Sequence, residues 1–390
     1  MIQVGMICEI NSAKIFMQHF LKRAIEVGAD DTFIITHFSP SFKIDGFVTP
    51  QFTERLTAEQ AKLLVYSIMN DHQRKIYDAE KECNFAIAIG SEGRFRVNAY
   101  LEQGKCAMVL RKINTKVPTL QDLKLPSILA DIAMERKGLV LVIGMTGSGK
   151  STTLAAMLDH RNKNSRGHIL SIEDPVEFVH KHQNCIVSQR EVGVDTDSWH
   201  NAIKSALRQA PNVVLIGEIR DEEAMEYALQ FAETGHLCVA TIHATNATQA
   251  IERVINLFPS EKHHQVYMNL ALNLKAIVGQ RLIPLQSGKG RAAAIEIMMN
   301  TSTIADYIFK QQPDEIKAIM AKSTDSGMKT FDQALFDLYE ENKISYEEAL
   351  KNSDSMTDLK MRIKLDSKRG EEVGIKNDSV TPSMADLKIL

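Results

Sequence analysis

No stretch of this chain approaches ~18 consecutive apolar residues, so no membrane-crossing helix is expected. The opening, Met1 to Phe16, also lacks the basic start and long apolar core of a signal peptide. These absences imply a cytoplasmic protein, one that can still dock on a membrane machine. Cysteine is scarce as well. The five present (Cys8, Cys83, Cys106, Cys185, Cys238) are scattered with no C-x-x-C pair, which supports neither a disulfide framework nor a zinc module and suggests buried thiols. Charge of one sign is missing too, since the formal net charge is −3. Without a basic field, nucleic acid is a disfavoured partner. What remains, 390 residues with 44% hydrophobic and 24% charged content, is ordinary globular composition, long enough for two or three separate cores.

Against this background one run stands out. Gly144-Met145-Thr146-Gly147-Ser148-Gly149-Lys150-Ser151 follows the apolar stretch Leu139 to Ile143 and precedes a helical pattern reaching about Asn162. Glycines at these positions let backbone N–H groups from Gly144 to Thr152 wrap a di- or triphosphate, Lys150 reaches the outer phosphates, and the Ser151 hydroxyl can ligate Mg²⁺. The positive end of the helix dipole faces the same anion. ATP with Mg²⁺ is the expected ligand.

Three further clusters accompany the loop. Glu173-Asp174-Pro175-Val176-Glu177 ends one apolar strand, and a nucleotide hydrolase needs a carboxylate there to take a proton from water. Glu173 and Glu177 are both candidates. The run Val213-Val214-Leu215-Ile216-Gly217-Glu218 is a Walker B-type strand whose acid, Glu218, polarises the Mg²⁺ shell or the water. His236 and His243 bracket a third strand, with Thr241 near its end, a pattern able to sense a γ-phosphate. Phosphoryl transfer also calls for positive charge beyond one lysine. Arg94, Arg96 and Arg111 on an amino-terminal hairpin are candidate arginine fingers, although alternating arginines on a hairpin also read simply as its wet face.

The pattern along the chain divides it. Residues 1–113 alternate helices with antiparallel-looking strands, including a hairpin turning at Gly90-Ser91-Glu92-Gly93, and 114–126 reads as a linker. Residues 127–300 carry buried strands alternating with helices, the mark of a largely parallel α/β sheet whose ligands bind at the carboxyl ends of the strands. Residues 301–365 read as helical, and 366–390 as a polar, disordered tail.

In this order the four clusters resemble the secretion ATPase superfamily of type II secretion and type IV pili, and within it the twitching-motility retraction ATPases of the PilT/PilU type. Gly93-Arg94-Phe95-Arg96-Val97-Asn98, Gln189-Arg190-Glu191-Val192-Gly193 and Gly327-Met328-Lys329-Thr330-Phe331-Asp332-Gln333 strengthen the likeness. The resemblance implies a PAS-like amino-terminal domain joined to a RecA-like P-loop ATPase domain and a helical carboxy-terminal region, with six copies forming a ring. It implies Glu177 as general base, Glu218 in the Walker B role, His236 and His243 in a histidine box, and a place at the cytoplasmic face of the inner membrane beside the pilus platform protein. Where PilT-type motors read A-I-R-N-L-I-R-E, this chain reads Glu315-Ile316-Lys317-Ala318-Ile319-Met320-Ala321-Lys322, implying the PilU side and work alongside a PilT-type retraction motor. Pilus assembly or type II secretion is the alternative function. A RecA-like nucleic-acid motor stands further off.

Overall fold

The computed structural model describes residues 3–369 except 45, 91–92 and 114–115. The expected hairpin turn at 91–92, the first two residues of the expected linker, and residues 370–390 of the expected tail therefore lie outside the described residues. The chain forms two compact units that do not follow it in order. The first takes the residues up to Leu123 with Ser127–Leu139 and Ser151–Thr241, and the second takes Lys124–Pro126, Val140–Lys150 and the chain from Ile242 onward.

The amino-terminal part of the first unit runs α1 (Ile10–Glu26), β1 (Asp31–Ile35), β2 (Ser41–Ile44), β3 (Phe47–Pro50), α2 (Ala58–Ser67), α3 (Asp71–Glu80), β4 (Glu82–Ile89), β5 (Gly93–Glu102) and β6 (Lys105–Ile113). Helix α1 starts at a reciprocal cap between Glu9 and Ser12 and buries Ala13, Phe16, Met17, Phe20, Leu21 and Ala24, the i, i+3, i+4, i+7 stripe of an amphipathic helix. Gly28, at φ +72°, turns the chain out of it. The strands make an antiparallel sheet in the order β3-β2-β1-β6-β5-β4. Alternation fixes its faces. Phe95, Val97 and Ala99 of β5 enter the core with Phe16, Phe42 and Phe85, so Arg94 and Arg96 must share the opposite face. Arg111 of β6 stands directly across from Arg96 and joins them.

The first unit continues with α4 (Ile128–Ala133), the start of β7 (Gly138–Ile143), α5 (Lys150–Asn164) beyond its first residue, β8 (Gly167–Glu173), β9 (Cys185–Glu191), α6 (Trp199–Ala206), β10 (Val213–Ile216), α7 (Glu222–Glu233) and β11 (Leu237–Ile242) up to Thr241. Strands β11-β10-β8-β9 are parallel neighbours, with Ile216 level with Ile172 and with Ala240. Every residue of β10 and β11 is buried, as strands covered on both faces require. Edge strand β9 escapes a sequence reading because it is half polar, with Ile186 largely exposed.

The second unit holds Val140–Lys150, then α8 (Ala247–Asn256), α9 (His263–Asn273), β12 (Leu274–Pro284), β13 (Arg291–Met299), α10 (Ser302–Phe309), α11 (Ile316–Lys322), α12 (Phe331–Glu340), α13 (Tyr346–Lys351) and α14 (Met356–Asp366). Its strands run β13-β12-β7, the β12–β13 pair antiparallel rather than continuing the parallel pattern. Gly279 in β12 is needed for packing, since a Cβ there would meet the Phe331 ring at 2.8 Å. Ile283 and Ala294 share a core with Phe331, Leu335, Tyr339, Leu359 and Ile363. Helix α14 reaches Asp366, where the tail was expected to begin. Lys368 N–H then bonds Glu340 at 3.2 Å and the Arg369 guanidinium lies 4.5 Å over Tyr339, so the chain stays docked through 369. One thiol differs from expectation: Cys8 is exposed, while the other four are buried.

Candidate active site

The glycine-rich loop is held by shape. Gly144, Gly147 and Gly149 have φ of +149°, +77° and +88°, conformations that L side chains rarely adopt. A Cβ on Gly144 would lie 2.5 Å from both the Gln280 carbonyl and Ser148 Oγ, and one on Gly149 2.7 Å from Gln280 Nε2. Strand β12 is thus the floor of the loop, a role for Gln280 that no motif announces. Lys150 Nζ donates to the carbonyls of Gly144 at 2.6 Å and Met145 at 3.1 Å, drawing the ammonium back over the loop. Ser148 Oγ is buried without a hydrogen-bond partner. A loop with inward strain, a lysine folded across it and an orphaned buried hydroxyl fits a phosphate-bearing ligand. Beside it opens a cleft of about 470 Å³, lined by Gly144 to Ser148, Thr245, Gln280 and Arg281 among others. Thr146 and Gly147 are exposed at the loop's crest, and Ser151 and Thr152 follow in the first turn of α5.

The acidic cluster of the first unit is held by charge instead. Glu173 ends β8, and its carboxyl accepts from Ser171 Oγ at 2.6 Å, from Gln189 Nε2 at 3.2 Å and from the Glu177 backbone N–H; burial nonetheless pushes it above the usual carboxylate range. Glu191, also raised by burial, accepts the Val176 N–H at 3.1 Å. Two shielded carboxyls therefore grip the backbone of the loop 174–177. The Glu177 side chain, 49% exposed, pairs with Arg96 Nη2 at 3.4 Å. Sequence alone leaves Glu173 and Glu177 level. Here Glu173 is occupied as an anchor, and Glu177 has the exposure that a base acting on water requires.

Glu218 follows Gly217 at the end of β10, beside the end of β8: Gly217 N–H bonds the Ile172 carbonyl at 2.8 Å. The Glu218 carboxylate accepts from Arg220 Nε at 2.5 Å. Thr241 Oγ1 donates to the Gly217 carbonyl and its own carbonyl accepts from Ile219 N–H, bracing this turn. Asn212, preceding β10, accepts His168 N–H at 2.8 Å.

The arginines separate. Arg96 faces Glu177, and Arg94 and Arg96 together lower Glu191 electrostatically against its burial. Arg111 is instead committed to buried Asp31, with Nε at 2.8 Å from Oδ1, and that contact raises its pKa further. The histidines separate too. His243 follows β11 at its carboxyl end. His236 precedes β11, where its carbonyl accepts Gly138 N–H at 2.9 Å and its ring packs on the last turn of α7, Nδ1 being 3.2 Å from the Phe231 carbonyl. A six-residue strand spans about 20 Å, so His236 sits at the amino ends of the strands, away from the ends that carry the acids. His236 and His243 thus stand at opposite ends of β11.

A glycine-rich loop of this shape after a buried strand is the mark of the P-loop nucleotide-binding proteins. The chain belongs to the family described as type II/IV secretion system protein, whose model matches residues 9–355. It is 52% identical over 350 residues to the type IV pilus ATPase PilU of Pseudomonas aeruginosa, covering 90% of this chain and 92% of that one. It is 40% identical over 322 residues to the same organism's PilT, named a pilus retraction ATPase, covering 83% and 93%. Among solved structures, the pilus retraction motor PilT with bound ADP superposes at a TM-score of 0.83 with 36% identity, over 88% of this chain and 98% of that one. The fold is accordingly that of a RecA-like ATPase with an amino-terminal domain.

Proposed function

We propose that this protein is an ATP-hydrolysing motor that powers type IV pilus retraction and hence twitching motility. The observation that carries the reading is its end-to-end likeness to a named pilus ATPase, PilU, rather than to an isolated nucleotide-binding segment. The loop from Gly144 to Thr152 binds the phosphates, its N–H groups and Lys150 meeting their charge. Glu177 takes the proton of the attacking water. Arg94 and Arg96 neutralise developing charge, Arg96 exchanging its partner Glu177 for phosphate, with His243 sensing the γ-phosphate. The Ser151 hydroxyl and Glu218 would hold Mg²⁺, which would supply charge neutralisation there.

Six copies form a ring in this proposal, seated at the cytoplasmic face of the inner membrane against the platform protein of the pilus machine. The ring works beside a PilT-type motor and adds force to it. Support for that dependence is the departure of Glu315 to Lys322 from the PilT pattern. The test is deletion. Cells lacking the protein should still display surface pili while twitching or forceful retraction is impaired, and supplying it without the PilT-type motor should not restore retraction. Loss of surface pili would overturn retraction in favour of assembly.

A further inference from the structure

The second unit contains a set of partly and fully buried charges that the proposed chemistry does not use. Arg281 of β12 lines the cleft beside the glycine-rich loop and is fixed from three sides. Nη2 donates to the Thr245 carbonyl at 2.8 Å and to Asp354 Oδ1 at 2.6 Å, Nη1 donates to the Asn352 carbonyl at 2.6 Å, and the guanidinium stacks 3.9 Å over the Phe331 ring. Asp354, only 8% exposed at its side chain, is shared: Lys317 Nζ of α11 lies 3.2 Å from its Oδ2 and 3.3 Å from Asp332 Oδ2. Asp332 Oδ1 in turn accepts Asp354 N–H at 2.7 Å. From α11 to the cleft there are two ion pairs, Lys317 to Asp354 and Asp354 to Arg281, and then one hydrogen bond, Arg281 to the Thr245 carbonyl.

The far end of this chain is a loop that the same charges help to hold: Asn246 Nδ2 donates to Asp354 Oδ2 at 3.4 Å, beside the local bonds that Thr245 and Asn246 make with Gln249. Residues 243–246 join β11 to α8, and the next amide, Ala247 N–H, bonds Glu296 at 2.7 Å. The near end is a small element. Helix α11 has seven residues, lies between 3₁₀ turns at Pro313–Glu315 and Thr324–Ser326, and buries only Ile316 and Met320; it is tethered through Lys317 and through the Ala321 carbonyl, which accepts from Gln333 Nε2 at 2.9 Å. Short elements with few apolar contacts are the ones that shift at low cost.

We propose that Lys317 and Arg281 are positioning residues that couple the seating of helix α11 to the loop 243–246 of the nucleotide cleft. Occupancy of the cleft and the state of this surface helix then change together, and by linkage each biases the other equally. The coupling rests on the nucleotide reading above, but its mechanical half does not need nucleotide.

Hydrogen exchange on the full chain tests both halves. In nucleotide-free protein, Lys317→Met should speed exchange at 243–250 several-fold while leaving β5 and β6 unchanged, and Lys317→Arg should restore the wild-type rate. In wild type, saturation with a non-hydrolysable ATP analogue, verified by displacement of a fluorescent ADP, should alter protection at 316–322. Steady-state assays should show KM for ATP raised about fivefold or more in Lys317→Met with kcat changed little, a split that general destabilisation would not produce. Unchanged exchange at 243–250 in Lys317→Met, or saturation that leaves 316–322 unaltered, would overturn the coupling. Failure of the analogue to bind would count against the nucleotide site, and the nucleotide-free arm would still decide the mechanical half.

Discussion

The proposed chemistry falls on two loops, and they are built on opposite principles. The loop 144–150 is specified by the absence of side chains: glycines at positive φ pressed against the backbone and amide of Gln280. The loop 174–177 is specified by side chains from elsewhere, its amides held by Glu173 and Glu191, two carboxyls whose pKa burial raises. The first loop presents donors to an anion. The second holds an acceptor, Glu177, at a wet surface while its anchors stay shielded. A carboxylate can serve as base only if it is not already consumed by its scaffold, and the division of labour between Glu173 and Glu177 satisfies that condition.

The comparison breaks most severely at the first loop. Lys150→Ala should abolish ATP hydrolysis and weaken nucleotide binding, measured by phosphate release and titration with a fluorescent nucleotide; unchanged turnover would remove the loop from the mechanism. Gly144→Ala should act through geometry with the lysine intact, because the added methyl overlaps Gln280 and Ser148, and it too should reduce nucleotide affinity.

Next comes the second loop. Glu177→Gln should bind ATP normally and lose about 10²–10⁴ in kcat, since the amide cannot accept the proton. Glu173→Gln keeps an oxygen that can still accept hydrogen bonds, so its effect should be much smaller. Equal loss in Glu173→Gln, with Glu177→Gln mild, would reverse the assignment.

A smaller effect separates the arginines. Arg96→Ala should lower kcat without lowering the melting temperature, because its partner Glu177 is exposed. Arg111→Ala should lower the melting temperature, because among the described residues it leaves buried Asp31 with Lys43 Nζ, at 3.5 Å, as its remaining ion-pair partner. Normal turnover in Arg94→Ala, Arg96→Ala and Arg111→Ala would rule out an arginine contribution.

The smallest effect sharpens the theme of shielded carboxyls. Glu296 is buried and its pKa is pushed up to about 8, chiefly by burial and then by the nearby Asp354. The folded state therefore holds a proton that the unfolded chain releases near the ordinary glutamate value of 4.5. Its stabilising share is complete below that value and is lost as pH rises toward about 8. Melting temperature should fall across that window, and Glu296→Gln should flatten the slope. An unchanged slope would show that other groups set it.

The sequence alone settled what depends on neighbours in the chain. A glycine-rich run after an apolar strand, arginines alternating with Phe95 and Val97, and apolar runs ending in acids all follow from local geometry, so the phosphate loop, the hairpin face and strands β7, β8, β10 and β11 were legible there. Strand β9, the antiparallel pair β12–β13 and the floor formed by Gln280 were not, because half-polar edges and a glycine chosen for contact with Phe331 carry no periodic signal. Tertiary structure decided which glutamate is a buried anchor and which is exposed beside Arg96, bound Arg111 to Asp31, and put His236 at the amino end of its strand. In each case the deciding partner is distant in sequence, and burial, which sets the role of a charged side chain, exists only once the chain has folded.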